Sequence, residues 1–116
     1  MDSKIRTHKF AIKVIEFVDK LPRDTSTQIM AKQLLRAATS IGANIIEAQA
    51  GSSRKDFINF FNHALKSANE TKYWLELLRD SNKGDKTLIS DLIKEASEIA
   101  NILGSSLLTL RGKRKF

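Results

Sequence analysis

The stretch Gln33-Leu-Leu-Arg-Ala-Ala-Thr-Ser-Ile-Gly-Ala-Asn-Ile-Ile-Glu47 decides the fold. Placed on a helical wheel at about 100° per residue, Gln33, Arg36, Ser40, Asn44 and Glu47 fall within about 80° of one another as a narrow polar stripe. Met30, Leu34, Ala37, Ala38, Ile41, Ile45 and Ala48 fill the next arc of about 100°, and Ala31, Leu35, Gly42 and Ile46 widen it. An ordinary surface helix is polar over more than half of its circumference. This one is apolar over more than half. The pattern predicts a central helix with little exposure, whose polar side carries groups able to bond one another.

Upstream, Phe10, Val14, Phe17 and Leu21 recur at helical spacing, which predicts a first helix over residues 3–21 with Ser3 as N-cap. Leu21-Pro22 ends it, because the residue before a proline is biased away from the α region. Thr25-Ser-Thr-Gln28 has the form of a capping box and starts the second helix, over 26–50, with Gly51 expected as its left-handed terminator. Ser53 as N-cap and Asp56 three residues on begin a third helix over 54–81. Its expected buried face is Phe57, Phe61, Ala64, Ala68, Leu75 and Leu78. Asn82-Lys-Gly-Asp85 reads as a turn closing on an Asp N-cap. The fourth helix, over 86–110, places Ile89, Leu92, Ala96, Ile99, Leu103, Leu107 and Leu110 in register, with Gly112 ending it before a basic tail, 111–116. Short turns make neighbours antiparallel, so the chain is expected to be all-α, one up-down-up-down four-helix bundle spanning residues 1–116. The second and third helices are apolar over wider arcs than a lone bundle needs. That surplus predicts burial between subunits.

Composition agrees. The 116 residues are 41% hydrophobic and 28% charged, with one proline and five glycines, too few for a turn-rich β architecture. The absence of cysteine excludes disulfides and cysteine-based zinc sites. No apolar run reaches membrane length and the N-terminus lacks a signal-peptide core, so a cytoplasmic location is expected. The formal charge is +7 and the isoelectric point near 9.9, a balance that points toward nucleic acid. The excess is spread along the chain, except for a block at Arg111, Lys113, Arg114 and Lys115.

The residues offer little to a catalytic reading. His8 and His63 lie on different helices, Glu-x-x-His is absent, and there is no cysteine nucleophile, glycine-rich phosphate loop or Gly-x-Ser-x-Gly. Glu47 and Glu70 as paired acids lack a nucleophile or metal to work with. The stronger reading of Gln33, Arg36, Ser40, Asn44 and Glu47, completed by Ser67 and Glu70, is a buried structural network that fixes helix register. No metal site, cofactor or enzymatic activity is expected. Gly51-Ser-Ser-Arg-Lys55 can bind an anion through a helix start and two cations, although capping alone accounts for its Gly and Ser. Arg54, Lys55, Arg111, Lys113, Arg114 and Lys115 are the candidate nucleic-acid contacts. Few aromatics are placed to stack bases: Tyr73 and Trp74 suit a helix interface equally well, and Phe116 ends the chain. Backbone-directed rather than base-specific binding is expected.

Gln33-Leu34, Arg36-Ala37-Ala38, Ser40-Ile41, Asn44-Ile45 and Glu47 belong to a longer pattern. Leu21-Pro22 precedes them, Ser53-Arg-Lys-Asp56-Phe57 follows, and Ala64, Ser67 and Glu70 close it. Over about residues 5–110 the sequence resembles the bacterial four-helix bundle proteins first noted as reading frames in intervening sequences of 23S ribosomal RNA. That family includes the accessory variability protein of diversity-generating retroelements. Ala48 departs from its usual glycine, and Gly42 from a common proline, which should leave the second helix straighter. The resemblance implies a homopentameric ring with a positively charged surface, and no catalysis. In retroelements it implies action with a reverse transcriptase and nucleic acid. Two functions are therefore expected to compete: a non-catalytic oligomer that binds nucleic acid through phosphate charge, and a protein–protein adaptor that docks a partner such as a reverse transcriptase. Neither involves a membrane.

Overall fold

The computed structural model describes the backbone of residues 2–114 and the side chains of residues 2–112. It contains four helices: α1 (Ser3–Asp19), α2 (Thr25–Ala50), α3 (Arg54–Asp80) and α4 (Lys86–Arg114). No strand occurs among the described residues. Each helix packs on its neighbours in sequence, and α4 closes back onto α1, so the four surround one elongated core of overall extents 52 × 23 × 21 Å. The cross-links between helices are those of antiparallel neighbours. Arg36 on α2 meets Glu70 on α3, and Arg54 at the start of α3 meets Leu110 near the end of α4. None of the helices is long and apolar enough, among the described residues, to cross a membrane.

The expected apolar register forms the core. Phe10, Val14 and Phe17 from α1 meet Leu34, Ile41 and Ile45 from α2, Phe61, Leu75 and Leu78 from α3, and Ile89, Leu103 and Leu107 from α4. Alanine fills much of the remainder, with Ala37, Ala38, Ala64, Ala68 and Ala96 all buried. Such small side chains let backbones approach, and α2 and α3 are the most closely associated pair. At Gly42 an added Cβ would lie 3.3 Å from Thr7 Oγ1, so glycine allows α1 to cross α2 tightly. Three threonines are buried, and each hydroxyl is satisfied locally: Thr7 donates to Ser3 O, Thr27 to Asp24 Oδ1 and Thr71 to Ser67 O. α1 and α4 pack more sparsely. There Arg6 grips Glu95 with two bonds of 2.8 Å and reaches Glu98 at 2.7 Å. The Arg6 hydrogen bond holds the Glu95 carboxyl below its usual range.

Five local expectations need correction. α1 is capped by Asp2, whose carboxylate accepts from Lys4 N–H, rather than by Ser3, and it ends at Asp19 rather than 21. α2 is capped by Asp24 rather than by the Thr25 box, since a carboxylate is the stronger acceptor for the first free N–H groups. Gly51 does not use its left-handed freedom: with φ −64° and ψ 148° the chain leaves α2 extended, directly into the extended Ser53 cap. Gly112 does not end α4, which continues to Arg114, because a glycine stops a helix only where the chain turns left-handed at it. The Ser53 and Asp85 caps lie where the sequence placed them, accepting from Asp56 N–H, and from Thr87 and Leu88 N–H, respectively.

Asp24 also joins the two turns at its end of the bundle, accepting from Lys83 Nζ at 3.1 Å. Bonds from the Thr27 hydroxyl and then from Lys83 hold its carboxyl far below the ordinary carboxylate range. A depressed native pKa stabilises the fold above the unfolded value, near 3.9, and that contribution is lost as pH falls below it. Unfolding midpoints in urea should therefore drop between pH 5 and pH 2. Asp24→Asn, which keeps a good N-cap without a titrating group, should drop less.

Candidate nucleic-acid interface

The candidate cations gather at the end of the bundle where α3 begins and α4 finishes. Ser53 caps α3, which puts Arg54 and Lys55 in its first turn beside free backbone N–H groups. Arg54 Nη2 donates to Leu110 O across the helix pair at 3.0 Å. Arg111, the next residue on α4, donates from Nη2 to Asn62 Oδ1 on α3 at 2.9 Å. Arg54 and Arg111 thus each bridge α3 and α4, at points about 12 Å apart along α3, and Lys55 is exposed in the first turn of that helix. Each keeps further N–H donors for an anion. The expected flexible tail is, through Arg114, the last turn of α4, so the backbone positions of Lys113 and Arg114 follow helical spacing. Lys115 lies outside the described residues.

The polar stripe of α2 is not the buried network expected. Arg36 donates to Gln33 Oε1 from Nε and Nη2, and Nη2 also reaches Glu70 Oε2, which accepts from Trp74 Nε1 at 2.9 Å. This cluster sits in the outer seam of α2 and α3, with the Arg36 side chain 58% exposed and that of Glu70 37%. Ser40 and Asn44 turn back onto carbonyls of their own helix, those of Arg36 and Ser40. Ser67 contributes its backbone carbonyl, to Thr71, and Glu47 is exposed. The physical reason is that α1 and α3 take up the two flanks of the apolar arc of α2, which leaves the polar stripe toward solvent. A solvent-exposed ion pair of this kind adds little stability, about 0–1 kcal/mol. Glu47 lies eleven residues along α2 from the Arg36 that holds Glu70, about 16 Å at 1.5 Å per residue, so the two acids are not a pair. Among the described residues no three His, Asp or Glu side chains converge as metal ligands would.

Two of the open clefts among the described residues bear on function. One, about 650 Å³, lies between α1 and α2 and is lined by Ile5, His8, Lys9, Gly42, Ala43 and Ile46. The other, about 410 Å³, lies between the first turns of α3 and the last of α4, next to the Arg54–Leu110 bond. Phe57 and Phe61 floor it, and Ser105, Ser106, Thr109 and Leu110 form its wall. Sequence periodicity assigned Phe57 to the buried face, and it packs against the core while one part of it lines this cleft. The available signal was the group Ser105, Ser106 and Thr109 interrupting the leucine pattern of the fourth helix.

None of the curated proteins compared matches the chain. Among solved structures it is similar to a protein of unknown function from the S23 ribosomal protein family of Bacteroides thetaiotaomicron. The two are 40% identical and superpose with a TM-score of 0.85, over 91% of this chain and 98% of that one. Residues 2–105 match the 23S rRNA-intervening sequence protein family, and with the shared four-helix fold this establishes that the chain belongs to that family.

Proposed function

We propose that this protein is a non-catalytic, cytoplasmic, oligomeric bundle that binds RNA or DNA through phosphate charge. The observation that carries the reading is the convergence of Arg54, Lys55 and Arg111 at one end of a chain with a formal charge of +7. Phosphate contacts require cations at the surface rather than base-reading geometry, and fixed guanidinium groups suit phosphate oxygens. Self-assembly, as the homopentameric ring that the family resemblance implies, would multiply this field several-fold. Ile5, Ile12, Ile15 and Ile46 support it as large exposed apolar side chains on α1 and α2.

Arg54→Ala, Lys55→Ala and Arg111→Ala combined should weaken binding to a structured RNA and to a DNA duplex by about tenfold or more at moderate salt. Fluorescence anisotropy checks this, with thermal unfolding as the control for folding. A variant that folds normally and binds as tightly as the parent overturns the reading. The second reading, an adaptor for a protein such as a reverse transcriptase, is favoured by the apolar α1–α2 cleft. It requires partner capture that survives nuclease treatment.

A further inference from the structure

We propose that the cleft between the start of α3 and the end of α4 is a pocket for an unpaired nucleobase, so that the protein prefers single-stranded nucleic acid. The inference rests on the nucleic-acid reading above and adds a ligand class and a site to it. Phe57 and Phe61 are stacked, with ring centroids 4.8 Å apart and an interplanar angle of 20°. Phe61 is buried and anchors the stack, while Phe57, partly buried against the core, carries it into the cleft. The facing wall is rich in hydroxyls. Thr109 and Ser105 are exposed, Ser106 is half-buried, and Thr109 Oγ1 spends its proton on Ser105 O, which leaves its lone pairs as acceptors. At the mouth, Arg54 is bonded to the carbonyl of Leu110, itself part of the wall.

An aromatic floor, a hydroxyl wall and a cation at the rim match the three parts of a nucleotide: the π-face, the hydrogen-bonding base edge and the phosphate. The cleft is shallow and open, so it would offer one face and one edge to a base rather than enclose it. A paired base cannot use the floor, because both its faces are stacked within the duplex. Ser106, Thr109, Leu110 and Arg111 lie beyond residue 105, where the match to the family ends.

The test uses the whole protein and an oligonucleotide of about ten nucleotides carrying 2-aminopurine, offered as a single strand and as a duplex. The parent should bind the single strand more tightly, and 2-aminopurine emission should change on binding. Phe57→Leu keeps the apolar volume and removes the ring. It should weaken single-strand binding by about tenfold and leave duplex binding unchanged. Ser106→Leu, which fills the cleft from the α4 side, should do the same and covers the case in which Phe57→Leu fails to fold. If the parent binds both forms and neither variant changes the preference, the pocket is refuted and the phosphate-charge reading stands. If the parent binds neither form, the phosphate-charge reading itself fails and the pocket falls with it.

Discussion

Replacing Ile45 by alanine should cost about 3 kcal/mol of folding stability, whereas the same change at its neighbour Ile46 should cost about 0.5 kcal/mol or less. Ile45 is 0% exposed and packed against all the surrounding core, while Ile46 is 51% exposed and lines the α1–α2 cleft. Truncating the first leaves a cavity in a close-packed interior, and truncating the second removes a side chain that the monomer buries only in part. Urea unfolding at low protein concentration, where assembly is not linked to folding, reads the difference. Sedimentation at high concentration should then show the reverse order, with Ile46→Ala weakening self-association. Equal losses at the two positions would contradict the assigned orientation of α2. An unchanged sedimentation profile for Ile46→Ala would remove α2 from the proposed subunit contact.

The second large effect is expected at Gly84, in the turn before α4. It holds φ +82°, and an added Cβ would lie 2.8 Å from Leu21 Cδ2 and 3.3 Å from Phe17 Cζ. Both neighbours are buried, so Gly84→Ala combines left-handed strain with forced repacking at the base of the core. A loss of about 2–3 kcal/mol is expected, which lowers the thermal midpoint by roughly 10 °C or more. Gly104 supplies the internal control. It lies within α4 with no atom within 4 Å of its added Cβ, so Gly104→Ala should stabilise by up to about 1 kcal/mol. Matching effects at the two glycines would contradict the geometry of the turn.

The bundle was legible because a wide apolar arc at helical period has one solution, burial on both flanks, and α2 is buried in that way. Asp85 was legible as a cap because no other capping side chain adjoins it, and Ser53, despite Ser52 beside it, because Asp56 stands three residues on. Asp24 was not, because it adjoins three hydroxyl residues able to do the same work, and its carboxylate outcompetes them. Gly51 and Gly112 misled for one reason: glycine permits a left-handed turn without requiring it. The polar stripe misled differently. A helical wheel ranks the faces of α2 but does not say which of them a neighbour covers, so Arg36 and Glu70 were placed in one network that was wrongly expected to be buried. Convergence of Arg54 with Arg111 depends on α3 and α4 meeting at that end, and no local pattern contains that information.

The most direct test of the central claim is the salt dependence of binding to a structured RNA. If phosphate neutralisation drives the interaction, the logarithm of affinity should fall linearly with the logarithm of salt concentration. The slope should be about −0.7 to −0.9 for each phosphate engaged, and it should become shallower in the Arg54, Lys55 and Arg111 variant. Affinity that holds constant as salt rises, or no binding at low salt, would contradict the claim.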